Sequence, residues 1–129
     1  MDPARRARAN YGAPEASTKS PRQMEYQAFA QITRDLRQAA LRGREDFPRL
    51  AEALHLNLRL WSVIATDVAD ERNGLPDLLR ARLVYLSEFT RAHTRKVLDG
   101  DETPEALIDI NMAVMRGLSQ KQDSATCPA

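Results

Sequence analysis

Few side chains in this sequence have the types and spacing that catalysis needs. It holds two histidines, His55 and His93, and one cysteine, Cys127. A general acid–base pair requires titratable groups gathered in a cleft, and neither histidine sits within a recognisable signature. Cys127 stands alone and can serve neither a disulfide framework nor a metal cluster. Gly-rich phosphate loops, metal-ligand spacings and Ser or Cys nucleophile motifs are missing, and the five glycines fall near ends and turns. The expectation is a protein that is not an enzyme and carries no cofactor and no metal.

The chemistry that does stand out is hydrogen bonding in an apolar setting. Wound at about 100° per residue, residues 50–70 place Glu52, His55, Arg59, Ser62, Thr66 and Asp70 on one wet arc. Leu50, Leu54, Trp61, Ile64, Ala65 and Val68 fall opposite, and Asn57 lies in the middle of that apolar arc, near Trp61. Asp67 sits at its edge beside Leu56 and Leu60. Further along, Asn111 projects among Leu107, Val114 and Leu118, His93 and Arg82 share a face with Leu86 and Phe89, and Glu25 shares one with Phe29, Ile32 and Leu36. A buried amide without partners costs about 1–3 kcal/mol. These groups must therefore find each other as register-fixing core contacts, or line a groove that receives another chain.

Four helices have to position them. Ser20-Pro21-Arg22-Gln23 reads as a capping-box start, and Met24, Ala28, Phe29, Ile32, Leu36 and Ala39 recur at three- and four-residue spacing up to Gly43. A second helix opens near Asp46-Phe47-Pro48 and ends at Asp70-Glu71-Arg72-Asn73-Gly74. A third runs from Leu75-Pro76-Asp77, through Leu79, Leu83, Leu86, Phe89 and Val97, to Asp99-Gly100. A fourth starts at Thr103-Pro104-Glu105 and carries Leu107, Ile110, Val114 and Leu118 on one stripe. No segment alternates with period two, so strands are not expected. The predicted fold is all-α: a bundle of four main helices over residues 20–118, preceded by a mobile arm at 1–19 that holds at most one short helix. A disordered polar tail is expected at 119–129.

Composition is compatible with one such domain. The 129 residues are 43% hydrophobic, 29% charged and only 5% aromatic, a helix-favouring balance. Nineteen basic residues against eighteen acidic give a net charge of +1, which predicts no polyanion partner. Arg34, Arg37, Arg42 and Arg44 cluster around the end of the first long helix and could touch phosphates, but no aromatics interleave them to stack bases. The helix dipole explains arginines there equally well. No apolar run approaches a membrane span, and the basic residues Arg5, Arg6 and Arg8 are followed by no apolar segment of a secretory signal. A cytoplasmic protein is expected.

Taken together, the blocks have a known likeness. PRQMEYQAFAQITRDL at 21–36 resembles the PR-x-x-E-Y start of the flagellar biosynthesis regulator FlaF family, and ALHLNLRLWSVIATDVAD at 53–70 is similar to its central N-x-x-L-W-x-x-x-A-x-D signature. NGLPDLLRARLVYLSEFTRAHT and LIDINMAVMRGL resemble its third and fourth blocks, and NYGA at 10–13 its Tyr-bearing entry segment. The family pattern falls on Pro21, Arg22, Glu25, Tyr26, Asn57, Leu60, Trp61, Ala65, Asp67, Leu75, Pro76, His93 and Asn111, and departs at Arg82. The resemblance implies a small cytoplasmic protein needed for flagellin production and secretion, binding new flagellin as an export chaperone and working beside the regulator FlbT. Flagellin, through its helical terminal segments, is the expected partner and FlbT a second. The rival readings are a post-transcriptional regulator contacting flagellin mRNA and a scaffold that bridges FlbT and other proteins without touching flagellin. The residues expected to meet a partner are Glu25, Tyr26, Phe29, Asn57, Leu60, Trp61, Ile64, Asp67, Met112 and Met115. Trp61 is either the anchor of that surface or the centre of the core, with the core favoured.

Overall fold

The computed structural model describes the backbone of residues 21–126 and the side chains of residues 26–117. The expected N-terminal arm with Tyr11, the Ser20 cap, the side chain of Glu25 and Cys127 lie outside the described residues. Within them the chain is helical throughout: α1 (Pro21–Arg42), a 3-10 turn (Gly43–Asp46), α2 (Phe47–Ala69), α3 (Asp77–Leu98) and α4 (Glu105–Thr126). No strand occurs among the described residues. The helix starts obey the Pro rule, with Pro48 in the first turn of α2 and the Pro104 carbonyl accepting the first amide bonds of α4.

Helix ends follow the glycines. Gly43 leaves α1 at φ 56°, a left-handed conformation that a side chain would strain. After α3, Gly100 (φ 86°) donates from its amide to the Val97 carbonyl, and the Asp101 amide reaches the Lys96 carbonyl. Those two bonds form a Schellman cap. The backbone of α4 continues to Thr126, past the expected boundary at residue 118, through Ser119, Gln120, Lys121 and Gln122, of which Gln and Lys are good helix formers.

Packing is consecutive. α1 lies on α2, α2 on α3, and α4 returns against α1, whereas the α3–α4 seam is thin. At the end that carries the α1–α2 and α3–α4 connections, Leu36, Ala39, Leu50, Ala53, Leu54, Val97 and Leu107 form a closed apolar core, with Leu98 and Ile108 against it. Toward the opposite end burial weakens: Leu60, Ile64, Leu79, Leu83 and Leu86 are half-buried, and Val63, Leu78 and Tyr85 are exposed.

Candidate functional site

The polar residues of the apolar arcs meet in one layer across the middle of the bundle. Asn57 on α2 and Asn111 on α4 are both fully buried, at 0% exposure. The Asn111 amide nitrogen donates to Asn57 Oδ1 at 2.8 Å and to Thr33 Oγ1 on α1 at 3.1 Å. Its oxygen accepts from Trp61 Nε1 at 2.9 Å. Asn111 thereby ties three helices together, with both amide hydrogens and its oxygen engaged. Phe29 on α1 meets the Trp61 ring edge-on at 5.8 Å, which fixes how α1 and α2 align.

Thr90 completes the layer from α3. Asn57 lies twelve residues before the end of α2 and Thr90 thirteen after the start of α3, so an antiparallel pair holds them nearly level. Both carry a buried atom with no hydrogen-bond partner among the described residues, Asn57 Nδ2 and Thr90 Oγ1. His93, one turn below, stacks on Phe89 at 5.3 Å and donates from Nε2 to the Thr103 carbonyl at 2.9 Å, joining α3 to the α3–α4 connection. Asn57, Asn111 and His93 thus read as structural hydrogen-bonders rather than surface groups.

Two arginines do comparable work at helix ends. Arg80 donates from Nε to the Val68 carbonyl at 2.9 Å and from Nη2 to the Asp70 carbonyl at 3.2 Å, capping α2 from within α3. Arg44 lies over the Phe47 ring at 4.8 Å and points at the Val97 and Leu98 carbonyls at 3.5 and 3.4 Å, capping α3. Arg44 stays exposed, but its guanidinium is turned toward the C-terminal carbonyls of α3 and away from the expected four-arginine patch. Beside these caps, the exposed carboxylate of Asp70 accepts from the Arg72 amide at 2.9 Å and from the Arg72 guanidinium at 3.3 Å. The Arg72 backbone bond, then its side-chain bonds, hold the Asp70 carboxyl below its usual value, with Arg80 adding a smaller pull.

The residues expected to meet a partner are scattered by burial. Phe29, Asn57 and Trp61 are sealed in the interior, so the surface expected around the Asn57–Asp67 helix shrinks to the half-exposed edge formed by Leu60 and Ile64. Tyr26 is also half-buried. Asp67, at the edge of the apolar arc, makes no core contact: its side chain is exposed, and its carbonyl accepts from Asn73 Nδ2 at 3.1 Å. A residue at the rim of a wide apolar arc turns to water when its side chain is charged. Arg82 is exposed.

Met112 and Met115 alone are brought together in a depression. They line an open groove of about 440 Å³ on the α1/α4 seam with Ala30, Thr33 and Leu41. Arg34, Arg37 and Gln38 complete the lining. Leu41 is 87% exposed, an unusual position for a leucine with nothing over it. Thr33, Thr90, Arg80 and Leu41 were not singled out from the sequence. The one available hint was Leu41, which falls outside the stripe of Phe29, Leu36 and Ala39.

Among the described residues no three His, Cys, Asp or Glu side chains are placed to hold a metal ion, and no helix is long and apolar enough to cross a membrane. Fold and surface define a small all-helical protein with a hydrogen-bonded centre and an apolar groove at a helix seam. The chain belongs to the flagellar protein FlaF family, whose sequence profile matches residues 7–118. Comparison with curated proteins and with solved structures found no match. A role in flagellar biology follows from the family.

Proposed function

We propose that this protein is a non-enzymatic flagellin-binding protein, acting in the cytoplasm as an export chaperone for flagellin and as a regulator of its synthesis and secretion, with FlbT as a second partner. Flagellin's terminal segments are amphipathic helices that pack only on one another in the filament, so their apolar faces need cover before export. The observation that supports the reading is the α1/α4 groove. Its thioether and aliphatic lining (Met112, Met115, Leu41, Ala30) is open to solvent, and methionine adapts to the shape of a docked helix. The groove extends over Ala30 to Leu41 of α1, twelve residues spanning about 16 Å, which is three turns of a docked helix.

The test is capture of purified monomeric flagellin by the immobilised full chain, comparing wild type with Met112→Glu/Met115→Glu and with Val63→Glu. Circular dichroism verifies that each variant is folded. The reading expects capture by wild type and by Val63→Glu, and loss of at least tenfold in affinity for the groove variant. Capture unaffected by the groove variant removes the groove from the function; no capture by wild type removes flagellin.

A further inference from the structure

Among the described residues the charges around the groove have no ion-pair partner. Arg34 and Arg37 are the two charged residues of the lining, and no acid lines it. Arg34 donates to Gln31 Oε1 at 2.9 Å, and Arg37 lies 3.9 Å from the Met112 sulfur. Among the described residues neither has a carboxylate within ion-pair distance, whereas Arg72 and Arg80 each do. Two guanidinium groups three residues apart therefore stand on the same side of α1, beside an apolar floor, with no ion pair among the described residues.

We propose that the α1/α4 groove selects an amphipathic helix whose apolar stripe is bordered by carboxylates, the stripe seated on Leu41, Met112 and Met115 and the carboxylates paired with Arg34 and Arg37. The proposal rests on the reading above that the groove is the docking site, and adds the chemistry of what docks. Guanidinium groups one turn apart match acids one turn apart on a partner helix, and each carboxylate can accept two parallel bonds from an arginine. Residues 1–20 of the same chain do not fit that description, since Arg5, Arg6, Arg8 and Lys19 outweigh Asp2 and Glu15. Nucleic acid fits less well than a helix, because the lining offers aliphatic and thioether groups and no aromatic ring on which a base could stack.

Two labelled synthetic helices of roughly 18 residues, or five turns, provide the probe. They share one leucine stripe and differ in having Glu or Lys along its borders. Fluorescence anisotropy against the full-length chain at low salt is expected to show the Glu peptide binding roughly tenfold tighter than the Lys peptide, with the gap narrowing as salt is raised. Arg34→Glu/Arg37→Glu reverses the preference, and Arg59→Glu on the far face of α2 leaves it unchanged. Equal binding of the two peptides, binding of neither, or an unstructured RNA binding more tightly than the Glu peptide and losing that affinity in the Arg34/Arg37 variant, each overturns the proposal. So does a shift of the Arg34/Arg37 variant alone from dimer to monomer, which would give the groove to a second copy. The two readings fail separately. Flagellin capture that survives the Arg34/Arg37 reversal defeats the charge match and leaves the chaperone reading standing; Glu-peptide binding without flagellin capture does the opposite.

Discussion

Replacing either of the two central asparagines by leucine changes the same number of atoms in the same layer, yet the structure predicts very different costs. In Asn111→Leu, the Trp61 indole N–H loses its acceptor and Asn57 Oδ1 loses its donor, both deep in the interior. Thr33 also loses a partner, but its hydroxyl can turn to a carbonyl one turn back in α1. Two buried orphans at about 1–3 kcal/mol each, offset by roughly 1 kcal/mol from the more apolar side chain, give a net loss of about 3 kcal/mol. Asn57→Leu orphans one Asn111 amide hydrogen but simultaneously deletes the unpartnered Asn57 Nδ2, two effects of about 1–3 kcal/mol and opposite sign, so its net effect is within about 1 kcal/mol of zero. Asn111 retains Thr33 and Trp61 in that variant. Urea unfolding followed by circular dichroism reads the difference: with a slope of about 1–3 kcal/mol per molar for a domain of this size, Asn111→Leu lowers the midpoint by roughly 1–3 M and Asn57→Leu scarcely moves it. The double variant loses less than the sum, because one orphan of Asn111→Leu no longer exists. Equal losses in the two single variants, or a larger loss for Asn57→Leu, would refute the assignment of Asn111 as the hub.

The remaining predictions concern the caps and the acid limb. Arg80→Met takes the donor from the Val68 carbonyl, while the Asp70 carbonyl keeps the Asn73 amide, and lowers stability by about 1–2 kcal/mol; Arg82→Met, on an exposed side chain two residues on, changes it by less than about 0.5 kcal/mol. Thermal melts of the pair test this; equal shifts would mean that Arg80 caps nothing. Because the Asp70 carboxyl is held below its usual value in the folded protein, its contribution is present above the ordinary carboxylate range and is lost as pH falls through the folded value. Asp70→Asn should flatten the acid limb of the stability curve by lowering the neutral plateau toward the acid value while leaving the acid end nearly unchanged, as denaturation at a series of pH values would record.

Local signals in the sequence carried the helix boundaries well. Proline after a capping position and glycine just past the last apolar residue are short-range devices, and Pro48, Pro104, Gly43 and Gly100 act where the spacing puts them. The oddity of Asn57 and Asn111 was also visible, since an amide in an apolar arc shows on a helical wheel without knowledge of the fold. Their partnership was not: the bond between them spans 54 positions and depends on how α2 and α4 face each other. Thr33 and Thr90 were hidden because threonine is common on helix surfaces, and periodicity does not separate a buried hydroxyl from a wet one. Arg44 and Arg80 were opaque for a related reason. A long side chain can reach a helix end in another part of the chain, and its direction is set by helix-terminal carbonyls that no local pattern reveals. The groove was legible only in part, through Met112 and Met115; its other wall, including Leu41 and the Arg34 and Arg37 guanidinium groups, appears once α1 lies against α4.

One titration separates a closed centre from a docking surface. Selective methyl labelling follows the methionine ε-methyl groups of Met112 and Met115, and the indole proton of Trp61, the sole tryptophan, reports on the hydrogen-bonded layer. On addition of purified monomeric flagellin, the account predicts that both methyl signals shift or broaden while the indole signal stays in place. A displaced indole with undisturbed methionine methyls would contradict it, because binding would then proceed by opening the layer that Asn111 holds shut.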